Sequence, residues 1–494
     1  MLRKNNIPSL SECYRADPDR GRHFRIHDAA WTLDYAGLPM LPEHRAELLA
    51  QARCANLEGA IQRLFSGAIV NPSEQRPALH MALRSAQPSL LPGADPNGTL
   101  SGQRDRFLEL AGRLHQGHEG ITDLLHIGIG GSDLGPRLVT DALDENDSSL
   151  CVHWLSTLDG RRFERLLQGL DPARTGVLIA SKSFSTEETL TQAKAVRHWL
   201  GPRFAGQAWA ATARADRAID FGLNESAILP FPEWVGGRFS LWSSVGFSAA
   251  ARIGVDRFRR LLAGAAEADA AFAQARFDHN LASMLALLMH FLRRQLDCPT
   301  LGVVAYEPRL ALLGDYLQQL VMESLGKGVD LADASLDQAT APLVFGGRGT
   351  DLQHSIFQAL HQGRDSHPLL LVGSLADSHG QSDWHRAQLA HLLAQAAAFT
   401  RGRRDGQACQ YMPGNRPVMV LLAERLSSEA LGFLLASFEH AVFALSAIWR
   451  INAFDQWGVE EGKRLAGQIS QTLPPDPLDV DVVLDLLNQV RTQN

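Results

Sequence analysis

Short apolar runs alternate with helix-patterned stretches along most of this 494-residue chain: Leu124–Ile129, Cys151–Leu155, Val177–Ala180, Leu301–Tyr306, Pro368–Val372 and Val418–Leu422. Strands separated by helices pair in parallel, because the crossover helix carries the chain back to the edge it started from. The runs form two sets, one before about residue 250 and one after, and a chain of this length exceeds what one core supports. Two doubly wound α/β domains are therefore expected.

The remaining stretches read as helical. Residues 1–95 do so, with an amphipathic pattern from Pro42 to Phe65. Asp256–Asp297 is rich in Ala and Leu and reads as long helices joining the two sets. Ala430–Ala447 is the longest apolar stretch; it contains Glu439 and His440 and reads as a buried helix. Pro474, Pro475 and Pro477 end the preceding helix before a final amphipathic one.

Bulk properties exclude several classes. A net charge of −7 argues against a nucleic-acid partner, which needs a basic surface. There is no uninterrupted apolar run of about 18 residues, so no membrane span is expected. The N-terminal MLRKNNIPSLSE has no apolar core behind its basic residues and is not a secretory signal. The five cysteines are odd in number and contain no C-x-x-C, which fits a reducing cytoplasm.

The chemistry concentrates in loops. HIGIGGSDLGP (His126–Pro136) is a strand breaking into glycines before a helix over Asp133–Leu143. Such a turn suits a phosphate, since bare backbone N–H groups and the helix dipole meet there. Both nucleotide fingerprints fail: no lysine follows Gly135, and Asp133 stands where a third glycine is needed. SKSFST (Ser181–Thr186) supplies four hydroxyls and one ammonium just before a helix. A phosphate dianion wants that donor set, whereas a capping box over Ser185 and Glu188 explains Ser185 alone.

Four more stretches set isolated charges among glycines. Arg238 follows the glycines of EWVGGRFSLWS. Gln319 and Glu323 lie four apart in QQLVMESLGKG, on one helical face. His354 lies near a helix start in GTDLQHSIFQ, and Gln456 and Lys463 lie seven apart in DQWGVEEGK. No His/Cys/Asp/Glu cluster has metal-ligand spacing.

Taken in order with FSGAIVNPSEQRPALHMALR (Phe65–Arg84), HWLSTLDG and GNRP, these stretches resemble the phosphoglucose isomerase family over nearly the whole chain. The resemblance implies two sugar-isomerase domains, each a flavodoxin-like three-layer α/β/α sandwich, with extra helices. The expected boundaries are a helical segment at 1–95 packing on the large domain, a smaller sugar-isomerase domain at 96–250, a larger one at 251–450 and a helical tail at 451–494. By the family's pattern, Ser181, Lys182, Ser183 and Thr186 hold the phosphate, and Gly131 and Ser132 line the sugar. Gln319, Glu323, Arg238, His354, Gln456 and Lys463 surround the reacting carbons. The implied activity is interconversion of glucose 6-phosphate and fructose 6-phosphate, in glycolysis and gluconeogenesis. No cofactor or metal is implied. A homodimer is, with His354 reaching the neighbour's site.

Departures are modest: Ser183 and Ser185 where threonines are frequent, Glu187 for glutamine, Glu461 for an apolar residue, and GTDLQH for G-T-N-G-Q-H. Glu461, beside Lys463, is expected to strengthen that lysine's hold on its proton. The chemistry asked of these groups fits their types. A carboxylate can carry a proton between C1 and C2, a permanently charged arginine can stabilise an enediolate, and a histidine with a lysine can open the ring. A sugar-phosphate-sensing module would show the phosphate loop without the base. The isomerase half of an amidotransferase would need an N-terminal cysteine nucleophile, whereas this chain begins Met1–Leu2.

Overall fold

The chain enters its fold through a hairpin that its N-terminal sequence does not announce. Strands β1 (Arg25–Asp28) and β2 (Trp31–Asp34) pair antiparallel inside the segment read as helical. Two-residue hairpin turns are normally signalled by Asn-Gly or Asp-Gly, because they need positive φ. Here Ala29 takes φ +48 with Ala30 beside it, a pair that carries no turn signal. The amphipathic stretch Pro42–Phe65 is two helices, Pro42–Cys54 and Leu57–Phe65, broken at Asn56 in the left-handed conformation.

Five strands then form one parallel sheet: β3 (Asp123–Ile127), β4 (Cys151–Leu155), β5 (Thr175–Ala180), β6 (Ala208–Thr212) and β7 (Ile228–Pro230). Their order is β4-β3-β5-β6-β7, the flavodoxin-like arrangement in which the first strand of the set lies inside the sheet. The larger sheet contains β8 (Thr300–Ala305), β9 (Leu343–Arg348), β10 (Leu369–Ser374) and β11 (Val418–Ala423), all parallel, in the order β1-β2-β11-β10-β8-β9. The early hairpin thus extends the larger sheet, β2 pairing antiparallel with β11.

This computed structural model describes residues 7–274, 276–473 and 479–492; the three prolines of the tail lie outside them. The residues group into two compact units, Met1–Phe454 and Asp455–Asn494. Both sheets belong to the first. The second contains helices Trp457–Thr472 and Val480–Thr492.

In the first unit, helix Ser428–Trp449 is long and apolar enough to cross a membrane, yet it is buried against helices Val255–Ala273 and Leu281–His290. Its two polar interruptions, Glu439 and His440, are absorbed internally. Arg84 donates to both oxygens of Asp269, at 2.9 and 2.6 Å, and to Glu439 Oε2 at 2.5 Å. Trp242 Nε1 donates to Glu439 Oε1 at 2.8 Å, and His440 Nε2 lies 2.6 Å from Asp269. Burial pushes Glu439 up to about 7 against the pull of Arg84. A guanidinium bridging two carboxylates satisfies charges that would otherwise be costly inside. It also anchors Trp242, four residues beyond Arg238, to the core.

Candidate active site

Two turns leave neighbouring strands of the five-stranded sheet. After β3 the chain makes a single tight turn over Gly130–Ser132 and enters helix Leu134–Leu143, one residue later than the sequence pattern indicates. Gly130 has φ +57, a conformation glycine adopts without a Cβ clash. Gly131 is glycine for a different reason. A Cβ there would lie 2.1 Å from the Gly237 carbonyl oxygen and 2.6 Å from Arg238 N. A Cβ on Gly130 would lie 2.9 Å from Gln319 Nε2. Ser240 Oγ donates to the Gly131 carbonyl at 3.3 Å. The turn is therefore pressed against the backbone that carries Arg238 and the amide of Gln319.

After β5 comes the hydroxyl loop. Ser181 N donates to Ala211 O of β6 at 3.0 Å. Phe184 takes φ +47 with its side chain buried, and this turns Ser183 and Ser185 outward. Thr186, not Ser185, is the N-cap of helix Glu187–Leu200, and its side chain makes no capping hydrogen bond. The hydroxyls bond each other instead: Ser185 Oγ to Ser183 Oγ at 2.8 Å, and Ser181 Oγ with Thr186 Oγ1 at 3.3 Å. The capping box expected over Ser185 and Glu188 is thus not formed. Lys182 is half-buried; burial lowers its pKa, while Glu74 and Glu233 oppose the fall. Its backbone carbonyl accepts from Thr212 Oγ1 and Ala213 N, and Arg217 donates to Ser183 O at 2.8 Å.

Gln319 and Glu323 sit on helix Leu313–Leu325, as their spacing indicates. The helix packs close to the larger sheet because two glycines meet there: a Cβ on Gly314 would lie 2.8 Å from Gly346 Cα in β9. Arg238 is 4% exposed, and its Nη1 lies 3.5 Å from Glu323 Oε2. Its Nε donates to Ser324 Oγ at 2.5 Å and its Nη2 to the Ala453 carbonyl. Ser324 is a partner sequence reasoning did not name; its adjacency to Glu323 was the available signal. A guanidinium pinned at its other nitrogens can offer one edge to a developing oxyanion without reorganising.

His354 is placed differently. It is exposed and lies between two short helices, Gly349–Gln353 and Phe357–Gln362, at the end of the first rather than at a helix start. Gln456 and Lys463 belong to the second unit. Gln456 is the N-cap of Trp457–Thr472, and Lys463 Nζ donates to Glu460 Oε1 at 2.8 Å. Glu461 is engaged by Arg464, at 2.8 and 2.6 Å, so the carboxylate paired with Lys463 is Glu460 and not Glu461. Among the described residues no group of three or more His, Cys, Asp or Glu side chains is arranged to hold a metal.

Comparison with known proteins agrees in both sequence and shape. A family model described as phosphoglucose isomerase matches residues 34–481. A glucose-6-phosphate isomerase of Xanthomonas axonopodis pv. citri is 43% identical over 494 residues, covering 99% of this chain and 97% of that protein. One of Xanthomonas campestris pv. campestris, strain B100, is 43% identical over 450 residues, covering 90% and 88%. The crystal structure of a glucose-6-phosphate isomerase from Chlamydia trachomatis superposes with a TM-score of 0.87 at 28% identity, covering 99% of this chain and 97% of that one.

Proposed function

The chain belongs to the phosphoglucose isomerase family, and from that membership we infer that it interconverts glucose 6-phosphate and fructose 6-phosphate, the aldose-ketose step shared by glycolysis and gluconeogenesis. The observation that carries the assignment within this chain is the Glu323 carboxylate 3.5 Å from the buried Arg238 guanidinium. Glu323 takes the proton from C2 of the open-chain aldose and returns it to C1, so one group serves both directions. Arg238 stabilises the cis-enediolate oxygens between the two transfers; its permanent charge means that it holds the anion without losing a proton.

Ser181, Lys182, Ser183 and Thr186 bind the phosphate. The unused capping side chain of Thr186 and the mutually bonded hydroxyls support this, because both can turn to an anion at the start of the 14-residue helix. Gly131, Ser132, Gln319 and Gln456 contact the sugar. His354 and Lys463 move the proton between O1 and O5 that opens the ring. The assembly is a homodimer in which His354 serves the neighbouring subunit's site; its exposure supports this reading. The domains follow the boundaries at 95, 250 and 450, with the lead-in packed on the larger domain, as the pairing of β2 with β11 supports. The site of action is the cytoplasm, in keeping with five free cysteines.

The test is a steady-state assay of the purified chain on fructose 6-phosphate, with and without glutamine. Glucose 6-phosphate forming independently of glutamine is expected. Binding without turnover would leave a sensing module, and an amino sugar formed only with glutamine would leave an amidotransferase half.

A further inference from the structure

His126 lies in β3, buried in the middle of the sheet, and takes no part in the proposed proton transfers. Its surroundings are specific. Nε2 lies 2.6 Å from the Ser132 carbonyl oxygen and Nδ1 lies 2.9 Å from Ser248 Oγ. A carbonyl only accepts, so Nε2 carries the hydrogen and Nδ1 accepts from the Ser248 hydroxyl. Burial lowers the imidazole to about 4, so the neutral ring with this single tautomer is the form present near neutral pH. The Trp154 ring packs on it with centroids 4.7 Å apart.

The turn above is shaped around this bond. A Cβ on Gly128 would lie 2.7 Å from the Ser132 oxygen and 3.1 Å from His126 Nε2, so the glycine leaves the space the bond occupies. On its other side the same turn rests on Gly237 and Arg238 through Gly131. β3 is paired on both edges, with β4 and β5, which makes its residues a fixed platform. The turn's own bonds, Ser132 N to Ile129 O at 3.1 Å and Asp133 N to Gly130 O at 2.9 Å, fix its internal shape, and the bond from His126 ties its last carbonyl to the sheet.

We propose that His126 is a positioning residue for the sugar-binding turn: by donating to the Ser132 carbonyl it sets the Gly130–Ser132 backbone, and Ser132 itself, at the distance from Arg238 that the substrate needs. The proposal rests on the reading that Gly131 and Ser132 line the sugar.

The experiment compares the parent chain with His126→Leu, His126→Gln and His126→Asn. Readouts are KM and kcat for fructose 6-phosphate, the inhibition constant of inorganic phosphate, and Tm. Leu removes the donor. Gln places an amide N–H near the position of Nε2. Asn is polar but too short to reach Ser132. For Leu and Asn, KM is expected to rise about tenfold with kcat changed less than about threefold, the size of one lost buried hydrogen bond. Gln should stay within about threefold of the parent. Phosphate inhibition should not change, because that anion is held by the other loop. Parental KM in Asn, or Gln as impaired as Asn, overturns the proposal even if Leu fails to fold. A parallel loss of phosphate inhibition also overturns it, since that marks general collapse of the site. A parent chain without isomerase activity would refute the functional reading instead, and is seen before any variant is compared.

Discussion

The turns after β3 and β5 occupy equivalent places, at the carboxyl ends of adjacent parallel strands and ahead of a helix, yet they are built on opposite principles. The first is shaped by what is missing. Gly128 and Gly131 are bare because other atoms already fill the positions a Cβ would take, and Gly130 because its φ is positive. The second is shaped by what is present: hydroxyls and an ammonium, with Phe184 among them buried at positive φ. One fixes distances and the other supplies donors. Neither carries the proposed proton transfer, which is assigned to Glu323, with Arg238 3.5 Å away, on other elements.

This contrast can be broken most severely where neither turn is touched. Glu323→Gln keeps the shape and removes the base, so kcat should fall by several orders of magnitude with KM little changed. Ring opening should survive, so the variant should still speed exchange between the anomers of glucose 6-phosphate. It should not incorporate deuterium at C2 from heavy water. Retained C2 exchange would remove Glu323 from the mechanism.

Next in size is Gly131→Ala, which drives a methyl into the Gly237 carbonyl. A loss of roughly 100-fold in kcat/KM is expected, with a lowered Tm, as overpacking against backbone is poorly relieved. Gly237→Ala is the control: nothing lies within 4 Å of its Cβ, and its φ is not positive. If both variants behave alike, close approach is not why Gly131 is glycine. In the second turn, Ser181→Ala combined with Thr186→Ala should raise KM for the sugar phosphate by roughly 100-fold or more, at roughly 1.5 kcal/mol or more for each of the two hydrogen bonds to a charged group. Tm should hardly move, because the Thr186 side chain makes no capping hydrogen bond. An unchanged KM would take this loop out of the site.

The smallest signal is a recovery. His354→Ala and Glu323→Gln chains, each nearly inactive, are unfolded together and reassembled. Roughly a quarter of the parental sites should return, since a hybrid dimer has one site with both groups intact. Proven hybrids without recovery would place His354 in its own chain's site.

Much of the frame was legible from the chain alone. The apolar runs that became β3, β5, β8, β10 and β11 are largely buried strands rich in branched residues and leucine, the run that became β4 is a partly buried edge strand, and their helical spacers dictated parallel pairing. Besides the hairpin β1–β2, three strands of the parallel sets escaped, each for a local reason. β6 is AWAAT, where alanine carries little strand preference; β7 is three residues ending in proline at the sheet edge; and β9 contains Gly346 and Gly347, a residue type that weakens a strand pattern. The donor set of Ser181–Thr186 and the shared helix of Gln319 and Glu323 were likewise local, because hydroxyl content and helical spacing belong to short stretches.

Contacts between distant stretches were not local, and only the tertiary structure decided them. The meeting of Arg238 with Glu323 and Ser324, the placing of β2 against β11, and the tether from His126 to Ser132 with Ser248 behind it depend on which surfaces pack together. Even the role of Glu461 turned on geometry. Arg464, three residues on, takes it, and Glu460 turns to Lys463, because on a helix neighbours in space are three or four apart and not adjacent in sequence. Residue types and their spacing determine which chemistry a chain can perform and which elements it forms; the packing of those elements determines which groups meet, because that choice maximises buried apolar surface and minimises unsatisfied charge over the whole molecule at once.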